Sequence, residues 1–220
     1  MPKKTTSLKK GKRLKKSSQK WLLRQINDPF VKKAQDAGYR SRAAFKLVEI
    51  NEKFKLLKKG KIVVDLGAAP GGWSQVAVEK VGKGNVVAID ILDMPAIPGV
   101  KFMQQDFLQD EAPANILKLL QEQTGKEKCD IVLSDMAANT TGDASLDHLR
   151  IITLLEDALT LSAKILRTGG AFVGKLFQGG NSDEIIKILR ANFGQVKYFK
   201  PESSRKDSSE VYLVALGFKA

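Results

Sequence analysis

Lys61-Ile62-Val63-Val64-Asp65-Leu66 runs straight into Gly67-Ala68-Ala69-Pro70-Gly71-Gly72, and that junction leaves few folds open. A continuous run rich in β-branched residues and closed by glycine reads as a strand buried on both faces. Such strands belong to parallel sheets, whose crossovers are helices. Trp73 to Val81 fits the helix that follows, with Gly82 and Gly84 ending it.

The alternation continues along the chain. Asn85 to Ile89 reads as a second apolar strand closed by Asp90, and Val100 to Met103 as a short third ahead of Asp106. Asn115 to Gln123 reads as a helix, and Asp130 to Leu133 as a fourth strand stopping at Ser134-Asp135. The longest helix is expected from about Ser145 to Arg167, since Leu146, Leu149, Ile152, Leu155, Leu159 and Leu166 recur at three- and four-residue intervals ahead of Gly169-Gly170. Ala171 to Phe177 is a fifth strand carrying Lys175, Ser182 caps a helix through Leu189, and Val196–Phe199 and Val211–Phe218 close the pattern as two strands. Upstream, Ser41 can cap a helix bearing Ala44, Phe45, Val48 and Ile50. The pattern predicts an α/β fold with a parallel sheet and helices on both faces.

Charge separates an arm from this body. Of 37 Lys and Arg, ten lie in residues 1–27, which hold no acid; the remaining 27 face all 24 Asp and Glu, near balance. A flexible basic arm over 1–27 and a single domain over 28–220 are therefore expected, the arm gaining polyanion affinity through counterion release. Trp21-Leu22-Leu23 is too short for the apolar core of a secretion signal, and no stretch approaches a membrane span, so a cytoplasmic protein is expected. One cysteine, Cys129, and one histidine, His148, make a disulfide framework and a zinc cage poor readings. Cys129 reads as a core thiol and His148 as a surface residue in the first turn of the long helix. No metal is expected.

In open parallel sheets, ligands bind beyond the carboxyl ends of the strands. Asp90, Asp106, Asp135 and Lys175 sit at or just past such ends, on the same rim as the glycine loop. That loop lets backbone approach a ligand, yet Ala69 stands where the dinucleotide fingerprint needs glycine. Asp90, eighteen residues past Gly72, can accept from both hydroxyls of a ribose, and Asp106 can accept from an adenine amino group with Phe107 or Trp73 packed nearby. These residues alone fit either a nicotinamide cofactor or S-adenosylmethionine. Lys175 lies inside the otherwise apolar Phe172-Val173-Gly174-Lys175-Leu176-Phe177, where an unpaired charge is expensive, which marks it as functional.

Val64-Asp65-Leu66-Gly67-Ala68-Ala69-Pro70-Gly71-Gly72-Trp73-Ser74-Gln75 resembles the first motif of the FtsJ/RrmJ family of ribose 2′-O-methyltransferases. Ser134-Asp135-Met136-Ala137 resembles its fourth-strand motif. Arg40-Ser41-Arg42-Ala43-Ala44-Phe45-Lys46-Leu47, Gly174-Lys175-Leu176-Phe177 and Arg205-Lys206-Asp207-Ser208-Ser209-Glu210-Val211-Tyr212 match the remaining signatures. The resemblance implies a Rossmann-like S-adenosylmethionine-dependent methyltransferase fold: a mostly parallel seven-stranded sheet with an antiparallel last strand. It implies a catalytic tetrad at Lys46, Asp135, Lys175 and Glu210, and cofactor contacts at Gly71, Trp73, Asp90, Asp106 and Asp135. It also implies action on a uridine of large-subunit (23S) ribosomal RNA, in the aminoacyl-site loop of an assembled or nearly assembled 50S subunit; a monomer is expected, although the sequence itself does not reveal the oligomeric state. Lys175 would be the base, its ammonium destabilised by burial or by a second cation such as Lys46, with Arg42, one turn earlier, pressing the same way. The alternatives are a non-catalytic ribosome-assembly factor, a 2′-O-methyltransferase of another RNA such as tRNA, and a nicotinamide oxidoreductase, the last disfavoured by Ala69 and Pro70.

Overall fold

A computed structural model describes residues 19, 23, 26–137, 141–178, 182–205 and 207–219. Most of the basic arm lies outside them. The described chain runs α1 (Pro29–Asp36), α2 (Ala44–Phe54), β1 (Val63–Leu66), α3 (Gly72–Val81), β2 (Val86–Asp90), β3 (Val100–Gln104), α4 (Ala112–Thr124), β4 (Cys129–Ser134), α5 (Ala144–Ile165), β5 (Leu166–Phe177), α6 (Asp183–Asn192), β6 (Phe193–Phe199) and β7 (Glu210–Phe218). The strands form one sheet in the order β3-β2-β1-β4-β5-β7-β6. Pairing is parallel from β3 to β5, and β7 runs antiparallel to both of its neighbours.

Both faces are covered, which explains the unbroken apolar runs. Val64, Leu66, Val87, Ile89, Val132 and Phe172 point into the core under α4, α5 and α6. Val63, Val86, Ile131, Leu133 and Val173 point into the core under α2 and α3. Because strand side chains alternate with period two, each strand feeds both cores.

Several local expectations shift. The sequence reading has no helix before residue 41, yet α1 is present: Asp28 caps it by accepting from Phe30 N (3.0 Å), with Pro29 preset in the first turn. Ser41 does not cap α2, whose N-cap is Ala43 without a side-chain bond. β1 begins at Val63 because the preceding residues are held by a side chain: Asp130 accepts from Ile62 N and Lys61 Nζ, both at 2.8 Å. The long helix starts with Asp143 as its cap and stops at Ile165. Gly169-Gly170 do not punctuate its end but lie within β5, beside a register shift between Cys129 and Ile131 on β4.

His148 is buried at 8% exposure, not on the surface. It lies on the same helical stripe as the buried Ile151, Leu155 and Ala158, so the face of α5 decides its environment rather than its place near the helix start. Cys129 is fully buried, and burial pushes its thiol far up.

Candidate active site

Register brings the chemistry together. Lys175 on β5 pairs with Tyr212 on β7, and Phe177 with Glu210. Residues 175, 210 and 212 therefore share one sheet face, the face covered by α2. Lys46, in the first turn of α2, meets them there, and Asp135 joins from the end of β4.

Lys46 Nζ stands 2.8 Å from Glu210 Oε2 and 3.8 Å from Asp135 Oδ1. Lys175 Nζ is 2.7 Å from Asp135 Oδ1 and 4.0 Å from Glu210 Oε2, and it donates to the Asp135 carbonyl at 2.6 Å. The Tyr212 hydroxyl donates to Asp135 Oδ1 at 2.5 Å. Two ammonium and two carboxylate groups thus interlock in a largely buried cluster, and their formal charges cancel. Burial alone would push the Asp135 carboxyl up, but the Lys175 and Lys46 charges and the Tyr212 bond hold it below the usual carboxylate range. Burial, then the Asp135 and Glu210 charges, push the Tyr212 phenol well above its ordinary value, so it remains a donor.

A second set of residues holds Glu210. Ser204 Oγ donates to Glu210 Oε1 at 2.8 Å. The loop bearing Ser204 is fixed by Glu49 of α2, which accepts from Glu202 N (2.5 Å) and Ser203 N (3.0 Å). Arg42 donates to the Ser203 carbonyl and to Asp28, which also accepts from Arg205 Nε at 3.2 Å. Arg42 is therefore held in this clasp, and its charge still acts on Glu210 and Tyr212. Tyr212 and Ser204 escape a reading by residue type, because only the pairing register and a loop fold reveal them.

Asp135 also faces a cavity of about 750 Å³ lined by Gly67, Asp90, Asp106, Phe107 and Met136. Asp90 accepts from Ala69 N and Leu92 N, both at 2.8 Å, and Asp106 from Leu108 N at 3.0 Å. Each carboxylate oxygen retains a lone pair for a ligand hydroxyl or amine.

Two of the expected cofactor residues, Gly71 and Trp73, do not line this cavity. Trp73 is buried beneath α2, donating to the Ala43 carbonyl (2.8 Å) and packing on Tyr212 with ring centroids 5.5 Å apart. Gly71, at φ +107°, faces protein: a Cβ there would stand 2.6 Å from Ile97 Cδ1 and 2.9 Å from Met94 Sδ. Its positive φ is the conformation that favours glycine over any residue with a Cβ. Beneath the loop, fully buried Asp65 accepts from Ser74 Oγ at 2.6 Å, and burial pushes its carboxyl up to about 7. A second cavity, of about 610 Å³, between α5, α6 and the ends of β6 and β7, is walled by Leu159, Ala163, Ile188 and Phe193 and gathers no comparable cluster.

The chain matches a family model described as FtsJ-like methyltransferase over residues 39–218. It is 54% identical over 217 residues to a protein named ribosomal RNA large subunit methyltransferase E from Rhodopseudomonas palustris (strain BisB18), covering 97% of this chain and 89% of that one. A protein of the same name from Bradyrhizobium diazoefficiens is 52% identical over 216 residues, covering 96% and 92%. Among solved structures, one described as a ribosomal RNA methyltransferase from Plasmodium falciparum superposes with a TM-score of 0.71 at 33% identity, covering 82% of this chain and 98% of that one.

Proposed function

The chain belongs to the FtsJ-like methyltransferase family, and on that premise we propose that it transfers a methyl group from S-adenosylmethionine to the ribose 2′-hydroxyl of a uridine in large-subunit ribosomal RNA. One observation carries this reading: Asp135 belongs at once to the wall of the cavity and to the buried cluster with Lys46, Lys175 and Glu210. A donor bound in the cavity is thereby adjacent to groups able to handle a proton.

The cavity suits the donor. Asp90 and Asp106 offer acceptors for nucleoside hydroxyl and amino groups, Phe107 and Met136 supply apolar wall, and Asp135 places negative charge nearest the cluster. The bound donor supplies an activated methyl group on a cationic sulfur. A ribose hydroxyl is a poor nucleophile until it loses its proton, so this chain must provide a base and alignment. Lys175, as its amine, takes that proton, steered by the Asp135 carboxylate and carbonyl. Lys46, held by Glu210, supports the oxygen from which the proton leaves.

The names of the relatives support ribosomal RNA as the substrate. The motif resemblance narrows this to the aminoacyl-site loop of an assembled 50S subunit in the cytoplasm, with the basic arm adding phosphate contacts that carry no sequence information. The test is a map of ribose methylation on ribosomal RNA from cells with the protein, without it, and with Lys175→Ala. One 2′-O-methyl mark should vanish in the last two, while purified Lys175→Ala still binds the donor. A mark that persists with Lys175→Ala removes the lysine from the mechanism, and a full map in the null strain removes the substrate assignment.

A further inference from the structure

Arg40 is bonded to the two loops whose Ala69 and Asp90 line the cavity, and a cation this near an RNA-modifying site would ordinarily be assigned to a phosphate. Its surroundings point elsewhere. The segment between α1 and α2 is rooted on α3: Gln75 Oε1 accepts from Arg40 N at 2.8 Å, Gln75 Nε2 donates to the Gly38 carbonyl at 3.0 Å, and the Tyr39 hydroxyl donates to Glu79 Oε2 at 2.9 Å. From this base the guanidinium reaches across two loops. Nη1 donates to the carbonyls of Pro70 (3.2 Å) and Pro95 (2.5 Å), and Nη2 to that of Ala96 (2.8 Å).

Those carbonyls belong to the loops that carry the cavity residues Ala69 and Asp90. Pro70 follows Ala69, whose amide donates to Asp90 Oδ2. Pro95 and Ala96 lie in the segment after Asp90, whose Met94 and Ile97 are buried against Ala68 and Ala88. The same guanidinium stands over Gly71, with Nη1 3.1 Å from where a Cβ would be. Among the described residues Arg40 forms no ion pair, and its side chain donates to three backbone oxygens. A planar fork with five N–H groups can span two loops in this way, whereas a lysine ammonium presents a single point of donation.

We propose that Arg40 is a positioning residue of the cofactor pocket: it clamps the loops after β1 and β2 together and so sets the place of Ala69 N and Asp90 where a nucleoside is held. The proposal rests on the reading of the cavity as the S-adenosylmethionine site. It predicts that Arg40 governs cofactor affinity and leaves RNA affinity alone.

The experiment measures S-adenosylhomocysteine binding by calorimetry and RNA binding across a salt series, for the wild-type protein, Arg40→Lys and Arg40→Gln. Losing two or three bonds should weaken cofactor binding about tenfold to a hundredfold in both variants. In turnover assays the change falls on KM for the cofactor rather than on kcat. Hydrogen exchange of the ligand-free protein should show faster exchange at residues 68–72 and 91–99. RNA affinity and its salt slope should match wild type. Should Arg40→Gln not fold, Arg40→Lys decides, because it keeps the charge and the stem but not the fork. Wild-type cofactor affinity in Arg40→Lys overturns the proposal. So does weaker RNA binding in either variant with a salt slope reduced by about one, the signature of a lost phosphate contact. Failure of the wild-type protein itself to bind S-adenosylhomocysteine overturns the cavity reading and this proposal with it; normal binding in all three proteins overturns this proposal alone.

Discussion

Asp65→Asn should make the protein more stable at neutral pH, by an amount that grows with pH. Asp65 is 1% exposed, its bond from Ser74 Oγ is 2.6 Å long, and burial, aided by the charges of Asp135 and Asp90, raises its carboxyl to about 7. In the unfolded chain an aspartate titrates near about 4. Below about pH 4 the group is neutral in both states and adds no pH dependence. Between about pH 4 and 7 the unfolded chain sheds this proton and the folded chain keeps it, so stability falls as pH rises; above about pH 7 the loss is complete. At about 1.4 kcal/mol per tenfold change in proton affinity, the full loss is about 4 kcal/mol. Asparagine can still accept from Ser74 and has no proton to lose. Urea unfolding of both proteins between pH 4 and 8 isolates the effect, because Asp135 and the other carboxylates contribute equally to each and cancel in the difference. The stability advantage of Asp65→Asn should rise across that window and level off above it. Parallel curves would show that Asp65 is ionised in the folded protein and that the burial argument fails.

Tyr212→Phe deletes a bond to a buried carboxylate, a loss of about 1.5–3 kcal/mol; thermal unfolding should register it, and methyl transfer at saturating cofactor should drop about tenfold or more, whereas unchanged turnover would remove Tyr212 from the support of Asp135. Asp28→Ala leaves the half-buried Arg42 guanidinium without its carboxylate and frees Arg205 and Phe30 N, so denaturant unfolding should show a loss of about 3 kcal/mol; a change below 1 kcal/mol would mean the clasp carries little. Removing residues 1–27 takes away ten positive charges, so RNA affinity should fall and its salt dependence flatten, while cofactor affinity measured by calorimetry stays at the full-length value.

The strands were legible because burial on both faces demands continuous apolar runs, and the runs ending at Leu66, Ile89 and Leu133 carry that mark into Gly67, Asp90 and Ser134-Asp135. The candidate site was legible for the same reason, since a charge inside or just beyond such a run stands out, as Lys175 and Asp135 do. Glycine misleads where it has two uses. Gly169-Gly170 resemble a helix end but sit in β5 beside an irregular pairing. His148 is buried because helical phase, not distance from the helix end, sets exposure. Tyr212, Ser204 and Arg40 carry no signal of role in their own residue type; a strand register, a loop and two carbonyl-rich turns give them theirs.

The reversed last strand completes the cluster. Parallel strands deliver their carboxyl ends to one rim, which accounts for Asp90, Asp106, Asp135 and Lys175. A seventh strand parallel to the rest would bring the far end of β7, at Phe218, to that rim. Running antiparallel, β7 begins there instead, and its first residues are Glu210 and Tyr212. Its alternation does the rest: Val211, Leu213 and Ala215 enter one core while Tyr212 and Val214 enter the other, so both faces fix the register at once. A slip by one residue would drive Glu210 and Tyr212 into the apolar core beneath α5 and α6 and carry Val211 to Lys46. The hydrophobic pattern that seats β7 between β5 and β6 is therefore also what sets Glu210 and Tyr212 against the two lysines and Asp135.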